Sequence, residues 1–369
     1  MSEDRLITVA IHTYEKAVML KSLLESEGVS VVLHNVNLEQ PIVSSGIRVR
    51  IKEKDLPLAL RIIENVDIFS NVNKSPKSPQ KIIVPIDFSE SSLYATRFAF
   101  NYAKSYNHSI VFLHSYLDPF LSGGIQLSNS KDFDLDITDS REKAQAQAEE
   151  DMDKFCSEIK HLIKIGDIPP IKFSSEIREG VPEDVINSYA KQIHPTSIIM
   201  GTRGYGKKEK ELIGSVTAEV LDTCRYPVFS IPEDAPLRTI SDVRNIAFIC
   251  NLDQDDILAI DAILRLLDGQ KLNITLIFFK DRKINFNNIR PIDGLLNYCH
   301  TNYPHYQFNA QELPLKNITF DFKQFLATNN FSLIAIPNKK KNIIARLFNP
   351  SIAHRLLFNV DIPMMVIPV

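Results

Sequence analysis

The stretch that decides the fold is Ser197-Ile-Ile-Met-Gly201-Thr-Arg-Gly204, followed further along by Gly214-Ser215. An apolar run that ends in a glycine loop, with a helix-forming segment at 216–225 behind it, predicts a strand, a loop and a helix. Glycine lets the backbone approach an anion closely, and a helix N terminus offers unpaired N–H groups. The pattern predicts a phosphate-binding turn. The alternative is an ordinary α/β turn whose glycines serve packing alone.

A second motif ends an earlier apolar run, in the stretch Lys81-Ile-Ile-Val-Pro-Ile-Asp87-Phe-Ser89 before an Ala-containing helical segment. Asp87 is not expected to contact bare phosphate, because like charges repel. It could instead bond to ribose hydroxyls or to the base, or hold a Mg²⁺ that bridges phosphates. Asp87 and Ser89 are also favoured residues at a helix N-cap, and this structural role is compatible with the first.

Together the two motifs resemble the universal stress protein family, whose nucleotide loop reads G-x2-G-x9-G-(S/T), and the resemblance covers about residues 78–232. It implies a Rossmann-like open parallel sheet with ATP, alone or with Mg²⁺, at the carboxyl ends of the strands. Within that family pattern, the adenine side would be formed by Pro85, Ile86 and Ser115. The full set of residues expected at the nucleotide is Pro85, Ile86, Asp87, Ser115, Met200, Gly201, Arg203, Gly204, Gly214, Ser215, Val216 and Thr217.

The other polar residues near these motifs carry less weight. Arg203 lies between the loop glycines, where a guanidinium could pair with phosphate, whereas the lysines of 207–210 are expected to be solvated. His114 is expected to be a core histidine with a satisfied hydrogen bond. No catalytic constellation and no metal-ligand set is visible, so we expect at most slow ATP hydrolysis.

Residues 240–369 read as a second, degenerate copy of residues 81–234. Asn251 stands where Asp87 stands, and a constant offset of 136 maps Gly201, Gly204 and Gly214 onto Pro337, Lys340 and Pro350. Proline has no N–H to donate, and neither proline nor lysine allows the close approach of glycine. The second copy is therefore expected to keep the fold without the site, and to pack on the first as an intrachain pseudo-dimer.

Residues 1–70 read as a separate β-α-β-β-α unit, joined to the rest by the polar, proline-containing segment 71–80. The turn Leu-Leu-Glu-Ser-Glu-Gly28-Val and the strand Ile47-Arg-Val-Arg-Ile51 are similar to a small bacterial signal-transducing domain of ferredoxin-like α+β type. The unit carries no catalytic signature, so this resemblance assigns it no site.

Composition narrows the class of protein. A net charge of −3 over 369 residues gives no electrostatic case for a nucleic-acid partner, and no apolar run approaches the ~20 residues needed to cross a bilayer. The acidic start and the four scattered cysteines favour a cytoplasmic protein without disulfides. The function expected is an ATP-binding stress-response or signalling module that acts on an unidentified protein partner, as a monomer or a homodimer. The alternatives are a scaffold or sensor that keeps only the fold, and an enzyme acting on nucleotides.

Overall fold

The computed structural model describes residues 5–12, 14–35, 47–65, 80–117, 133–202, 214–233, 235, 237–250, 252, 254–280, 291–314, 322, 324–326, 328–338 and 362–369. The chain divides into two compact units, Met1–Ser78 and Pro79–Val369. Residues 71–79 of the segment expected to be a linker lie outside the described residues, and so does most of the predicted glycine loop.

The N-terminal unit is a three-stranded antiparallel sheet with two helices. Its elements are β1 (Leu6–His12), α1 (Tyr14–Ser26), β2 (Val31–Asn35), β3 (Ile47–Lys52) and α2 (Leu56–Asn65). The strand order is β1-β3-β2, and the buried side chains of Leu20, Leu24, Val49 and Ile51 form its core. Gly28 follows α1 with φ +88°, a left-handed conformation that glycine adopts without strain. The element order agrees with the prediction, while the ferredoxin-like identity stays a prediction.

The larger unit is one ten-stranded sheet in the order β11-β10-β9-β12-β13-β8-β7-β4-β5-β6. The elements of its first half are β4 (Lys81–Pro85), α3 (Glu90–Tyr106), β5 (Ser109–Tyr116), α4 (Phe133–Lys164), β6 (Phe173–Glu179), α5 (Pro182–Ile193), β7 (Ser197–Gly201), α6 (Ser215–Thr223) and β8 (Val228–Ile231). Those of its second half are β9 (Asn245–Ile249), α7 (Gln254–Leu266), β10 (Asn273–Lys280), α8 (Pro291–Asn302), β11 (Gln307–Pro314), β12 (Leu333–Asn338) and β13 (Met364–Pro368).

Every strand pair within each half is parallel, and the halves join through one antiparallel pair, β8 with β13. The predicted α/β fold with a parallel-sheet core is thus confirmed, and the whole sheet is mixed. The longest helix of the first half, α4, begins at Phe133 and ends at Lys164.

The two halves share their internal strand order, β8-β7-β4-β5-β6 in the first and β13-β12-β9-β10-β11 in the second. At their junction Phe229 faces Met365, its counterpart under the offset of 136. On either side of that pair Val228 faces Val366 and Ser230 faces Met364. Val228 thus pairs with the counterpart of Ser230, and Ser230 pairs with the counterpart of Val228, which is the pattern of a two-fold interface.

Local geometry is also repeated between the halves. Phe88, after β4, has φ +62°, and Leu252, after β9, has φ +59°. The Thr196 N–H donates to the Lys81 carbonyl at 2.9 Å, and the Ser332 N–H donates to the Asn245 carbonyl at 2.9 Å. Two halves that share strand order and individual turns have the geometry expected of one α/β unit built twice.

Hydrogen bonds at helix ends also tie the halves together. The Tyr102 hydroxyl on α3 donates to the Leu266 carbonyl at the end of α7 at 2.9 Å, and Tyr106 donates to the Asp268 carbonyl at 3.1 Å. Burial raises the pKa of Tyr102 strongly, so this buried phenol stays neutral and able to donate. The last carbonyls of a helix have no partner inside it, so these bonds satisfy groups that packing would otherwise leave unpaired.

Candidate functional site

The candidate site lies where three neighbouring parallel strands of the first half end. The strands β7, β4 and β5 are adjacent in that order, so their carboxyl ends meet at one edge of the sheet, here called the carboxyl edge. Pro85 and Gly201 are the last residues of β4 and β7, and Ser115 is next to last in β5. Ligands of open α/β sheets bind outside such strand ends, and the residues predicted there are brought together by the topology.

Gly201 is required for packing. A Cβ added at this position would lie 2.4 Å from the Ser91 Oγ and 2.8 Å from the Ser91 carbonyl carbon and oxygen. Both residues are buried, so the end of β7 and the first turn of α3 can approach this closely only with glycine in the strand. The sequence predicts a phosphate-binding role for this glycine, and its contact with Ser91 is a separate structural reason for glycine at this position.

The residues on either side of the predicted glycine loop, Thr202 and Gly214, are hydrogen-bonded to each other. The Gly214 N–H donates to the Thr202 carbonyl at 2.6 Å, and the buried Thr217 hydroxyl donates to the Gly201 carbonyl at 2.9 Å. These two bonds fix the first turn of α6 against the end of β7. The intervening residues 203–213, including the predicted ligands Arg203 and Gly204, lie outside the described residues.

The N terminus of α6 has no side-chain cap. Its N-cap is Gly214 with φ −75° and ψ 158°, a residue that has no side chain with which to accept the first-turn N–H groups. By contrast, α3 begins at Ser89, whose Oγ accepts the Ser92 N–H at 3.2 Å. The first-turn N–H groups of α6, on Ser215, Val216 and Thr217, have no partner within the helix and stand at the positive end of its dipole.

Asp87 has a structural role as well as its position at the carboxyl edge. Its Oδ1 accepts the Ser89 N–H at 3.2 Å and the Ser89 hydroxyl at 2.6 Å. Asp87 therefore orients the N-cap of α3, in a turn that passes through Phe88 in the left-handed region. The capping role expected from sequence is present for Ser89, with Asp87 supporting it. Asp87 itself is half-buried at this edge.

His114 supports the same turn from β5. Its Nδ1 lies 2.7 Å from the Ile86 carbonyl, so Nδ1 carries the proton and donates it. The ring lies against Phe88 with a centroid separation of 4.5 Å. The hydrogen bond predicted for His114 is therefore present, and it holds the segment after β4 against β5.

The remaining predicted residues differ in what they can offer a ligand. Met200 and Ile86 are buried, and Met200 packs in the core of the sheet, so either can meet a ligand only through its backbone. Pro85 and Ser115 are half-buried at the carboxyl edge. A ligand here would meet a small hydroxyl and a proline ring beside a carboxylate, a mixed surface that suits a nucleoside better than a purely apolar molecule.

The second half differs at the equivalent position. Pro337 stands where Gly201 stands, inside β12 and opposite Ile367 of β13. A proline there supplies no N–H at the strand end. Its predicted companions Asn251, Lys340 and Pro350 lie outside the described residues.

The described residues offer neither a metal site nor a membrane span. No group of three or more His, Cys, Asp or Glu side chains is placed to hold a metal ion within the part of the chain that the structure describes. Over the same residues, no helix is both long enough and apolar enough to span a bilayer.

Comparison with known proteins identifies the first half. A sequence model of the universal stress protein family matches residues 79–232. A universal stress protein of Methanocaldococcus jannaschii is 27% identical over 153 residues, which is 41% of this chain and 81% of that protein.

Among solved structures, a universal stress protein from Archaeoglobus fulgidus aligns with 78% of this chain and 96% of its own at a TM-score of 0.51 and 14% identity. This shows a likeness of fold, which reaches beyond the first half. A universal stress protein in complex with cAMP aligns with 41% of this chain and 96% of its own, at a TM-score of 0.27 and 21% identity. The family match, the relative and the α/β fold agree on the same segment: residues 79–232 are a domain of the universal stress protein family.

Proposed function

We propose that residues 79–232 bind ATP or a closely related adenine nucleotide, alone or with Mg²⁺, at the carboxyl edge of β4, β5 and β7. The observation that carries the proposal is the N terminus of α6, whose N-cap residue Gly214 has no side chain and is fixed beside the end of β7 by the Gly214–Thr202 hydrogen bond of 2.6 Å. Helix starts are normally satisfied by a side-chain oxygen. Here the N-cap residue is glycine, which leaves room for an oxygen that comes from a ligand.

The phosphate end of the nucleotide is assigned to this helix start. Because the Gly214 N–H is used by Thr202, the amides left for a phosphate are those of Ser215, Val216 and Thr217. The Thr217 hydroxyl is held by Gly201, so Thr217 contributes its amide alone. The Ser215 side chain is exposed and can add a further donor.

The nucleoside end is assigned to the ends of β4 and β5. Asp87, with Oδ1 already holding the N-cap of α3, would accept hydrogen bonds from ribose hydroxyls. A pre-oriented carboxylate loses little side-chain entropy when it binds, which favours such a contact. Pro85, Ile86 and Ser115 would border the adenine.

The second half is proposed to be a degenerate copy that does not bind nucleotide. The shared strand order and the junction register of Phe229 opposite Met365 support a repeat. Pro337 in place of Gly201 argues against a second phosphate turn. In this proposal the copies form an intrachain pseudo-dimer through β8 and β13, and the nucleotide is a regulatory ligand that shifts the affinity for a protein partner.

A second candidate is a scaffold or sensor that keeps only the fold. The observation that favours it is the packing of Gly201 on Ser91, because that contact needs glycine whether or not a ligand binds. Under this reading the chain would bind protein partners without any response to nucleotide.

Calorimetric titration of the full chain separates the two. We expect saturable heat with ATP·Mg²⁺ and weaker binding of GTP, with cAMP and AMP as further arms to find how many phosphates the site uses. Binding of AMP as tight as that of ATP would contradict the assignment of the β- and γ-phosphates to α6. If none of the four nucleotides gives heat, in protein shown to carry no co-purified nucleotide, the proposed nucleotide site would be contradicted and the scaffold or sensor function would be favoured.

A further inference from the structure

The helix whose start is proposed to bind phosphate is held at its other end by the second half. Asn338, the last residue of β12, donates from Nδ2 to the Leu221 carbonyl at 3.0 Å and to the Asp222 carbonyl at 2.9 Å. These carbonyls belong to the last turn of α6, where no helical partner is available. One amide group from the second half therefore closes the C terminus of α6.

Asn338 is also fixed on its own side. Its backbone carbonyl accepts the Val369 N–H at 3.0 Å, and β12 continues in register with β13 up to this residue. Under the offset of 136, Asn338 is the counterpart of Thr202, whose carbonyl closes the loop neck in the first half. In the first half this position accepts the Gly214 N–H at the proposed nucleotide turn, and in the second half it donates to the last turn of α6.

We propose that Asn338 is a positioning residue for the nucleotide site, so that the second half sets the affinity of the first. This inference rests on the proposed function. Over its nine residues α6 spans about 13 Å, and a helix transmits a displacement of one end to the other. The first-turn amides bind phosphate only while α6 stands in this place. When that arrangement is populated for a fraction of the time, the apparent affinity falls by the same fraction.

The coupling is reciprocal. If docking of Asn338 raises the affinity for nucleotide, then nucleotide must tighten the docking by the same factor. Cys224 reports on it, since this thiol is the C-cap residue of α6, is buried, and has its N–H on the Val220 carbonyl at 3.0 Å. Loosening of the helix end would expose the thiol to labelling, and bound nucleotide would slow that labelling.

The test is Asn338→Asp in the full chain, with Asn302→Asp as the matched control. The first substitution keeps the size of the side chain and replaces the Nδ2 amide group, which donates to both carbonyls, with one carboxylate oxygen that repels them. The second removes the same kind of bond, from Asn302 Nδ2 to the Tyr298 carbonyl at 2.9 Å, at the end of α8. Labelling is resolved by peptide mass spectrometry, with Cys224 reporting on α6 and the buried Cys299 reporting on α8.

We expect Asn338→Asp to speed labelling of Cys224, to leave Cys299 unchanged, and to weaken ATP binding about fivefold or more. Asn302→Asp is expected to speed labelling of Cys299, to leave labelling of Cys224 unchanged, and to leave ATP affinity at the parent value. A pH series adds a readout that a general loss of stability would not move. Protonation of the introduced carboxyl near about pH 5 restores one donor, so the gap in affinity between variant and parent should narrow there.

Unchanged ATP affinity in Asn338→Asp, or an equal loss in both variants, would overturn the inference. Absence of ATP binding in the parent would overturn the proposed function and the nucleotide part of this inference with it. In that case Cys224 labelling still decides the remaining part: an unchanged rate in Asn338→Asp would show that Asn338 does not hold α6.

Discussion

Replacing Gly214 with aspartate separates the stability of α6 from its proposed function. The backbone at Gly214, with φ −75° and ψ 158°, is open to any residue. An aspartate there would accept the first-turn N–H groups as an ordinary N-cap and would place its charge at the positive end of the dipole. We therefore expect Gly214→Asp to raise the free energy of unfolding by about 0.5–1 kcal/mol.

The same substitution should remove nucleotide binding. The introduced carboxylate would occupy the amides of Val216 and Thr217 and lie about 4 Å from the nearest phosphate charge, where repulsion near a protein surface is about 4 kcal/mol. Since 1.4 kcal/mol is about tenfold in affinity, the dissociation constant should rise by about three orders of magnitude. Solvent exposure and salt reduce this figure, so a loss of about a hundredfold is the expected lower bound.

Calorimetry with ATP·Mg²⁺ and thermal unfolding of the same preparations measure both effects. Gly214→Asn is the first control, because asparagine caps a helix as well as aspartate but carries no charge; it should cost about tenfold in affinity. Gly294→Asp is the second, since this glycine is exposed on α8 with no atom within 4 Å of an added Cβ. It should leave ATP affinity unchanged. A Gly214→Asp chain that is as stable as the parent and binds ATP equally well would refute the assignment of phosphate to α6.

Three further results are expected. Gly201→Ala should destabilise the fold by about 3 kcal/mol, because its methyl group would meet Ser91 at 2.4–2.8 Å. The control Gly294→Ala should stabilise the fold by about 1 kcal/mol. Denaturant midpoints compare the two variants, and equal shifts would contradict the packing argument. Ser89→Ala should cost about 1 kcal/mol through loss of the α3 cap, and a shift of zero in thermal unfolding would count against that cap. Burial raises the pKa of Tyr106 to about 12. The phenol therefore ionises more easily in the unfolded chain, and the stability of the fold should decrease as pH rises from about 10 to 12. Thermal midpoints over that range should fall less in Tyr106→Phe than in the parent, and identical profiles would show that Tyr106 does not cause the decrease.

Local patterns were sufficient to predict the elements that form the site. The apolar runs before Asp87 and Gly201 predict buried strands, and the Gly214-Ser215 step predicts where α6 begins. The offset of 136 read from the sequence also relates Phe229 to Met365, and the structure pairs these two residues; the repeat itself stays a prediction. These features depend on residues that are close in sequence or on a comparison of the sequence with itself.

The features that the sequence did not predict depend on contacts between distant residues. Nothing near Gly201 indicates that Ser91, at the start of a different helix, excludes a side chain there. Two such contacts join the halves of the larger unit: Asn338 donates to the last turn of α6, and Tyr102 donates to the Leu266 carbonyl. Asparagine and tyrosine are common at surfaces, so only the packed structure distinguishes these positions.

The most direct test of the central claim is the number of nucleotides that one chain binds, counted by native mass spectrometry of the full chain with ATP and Mg²⁺. The account predicts a single bound ATP per chain, because it places one nucleotide site in residues 79–232 and none in the second half, where Pro337 replaces the glycine. This bound ATP should be absent in Gly214→Asp. Two bound ATP molecules would contradict the degenerate second copy. No bound ATP at concentrations that saturate the calorimetric signal would contradict the site itself.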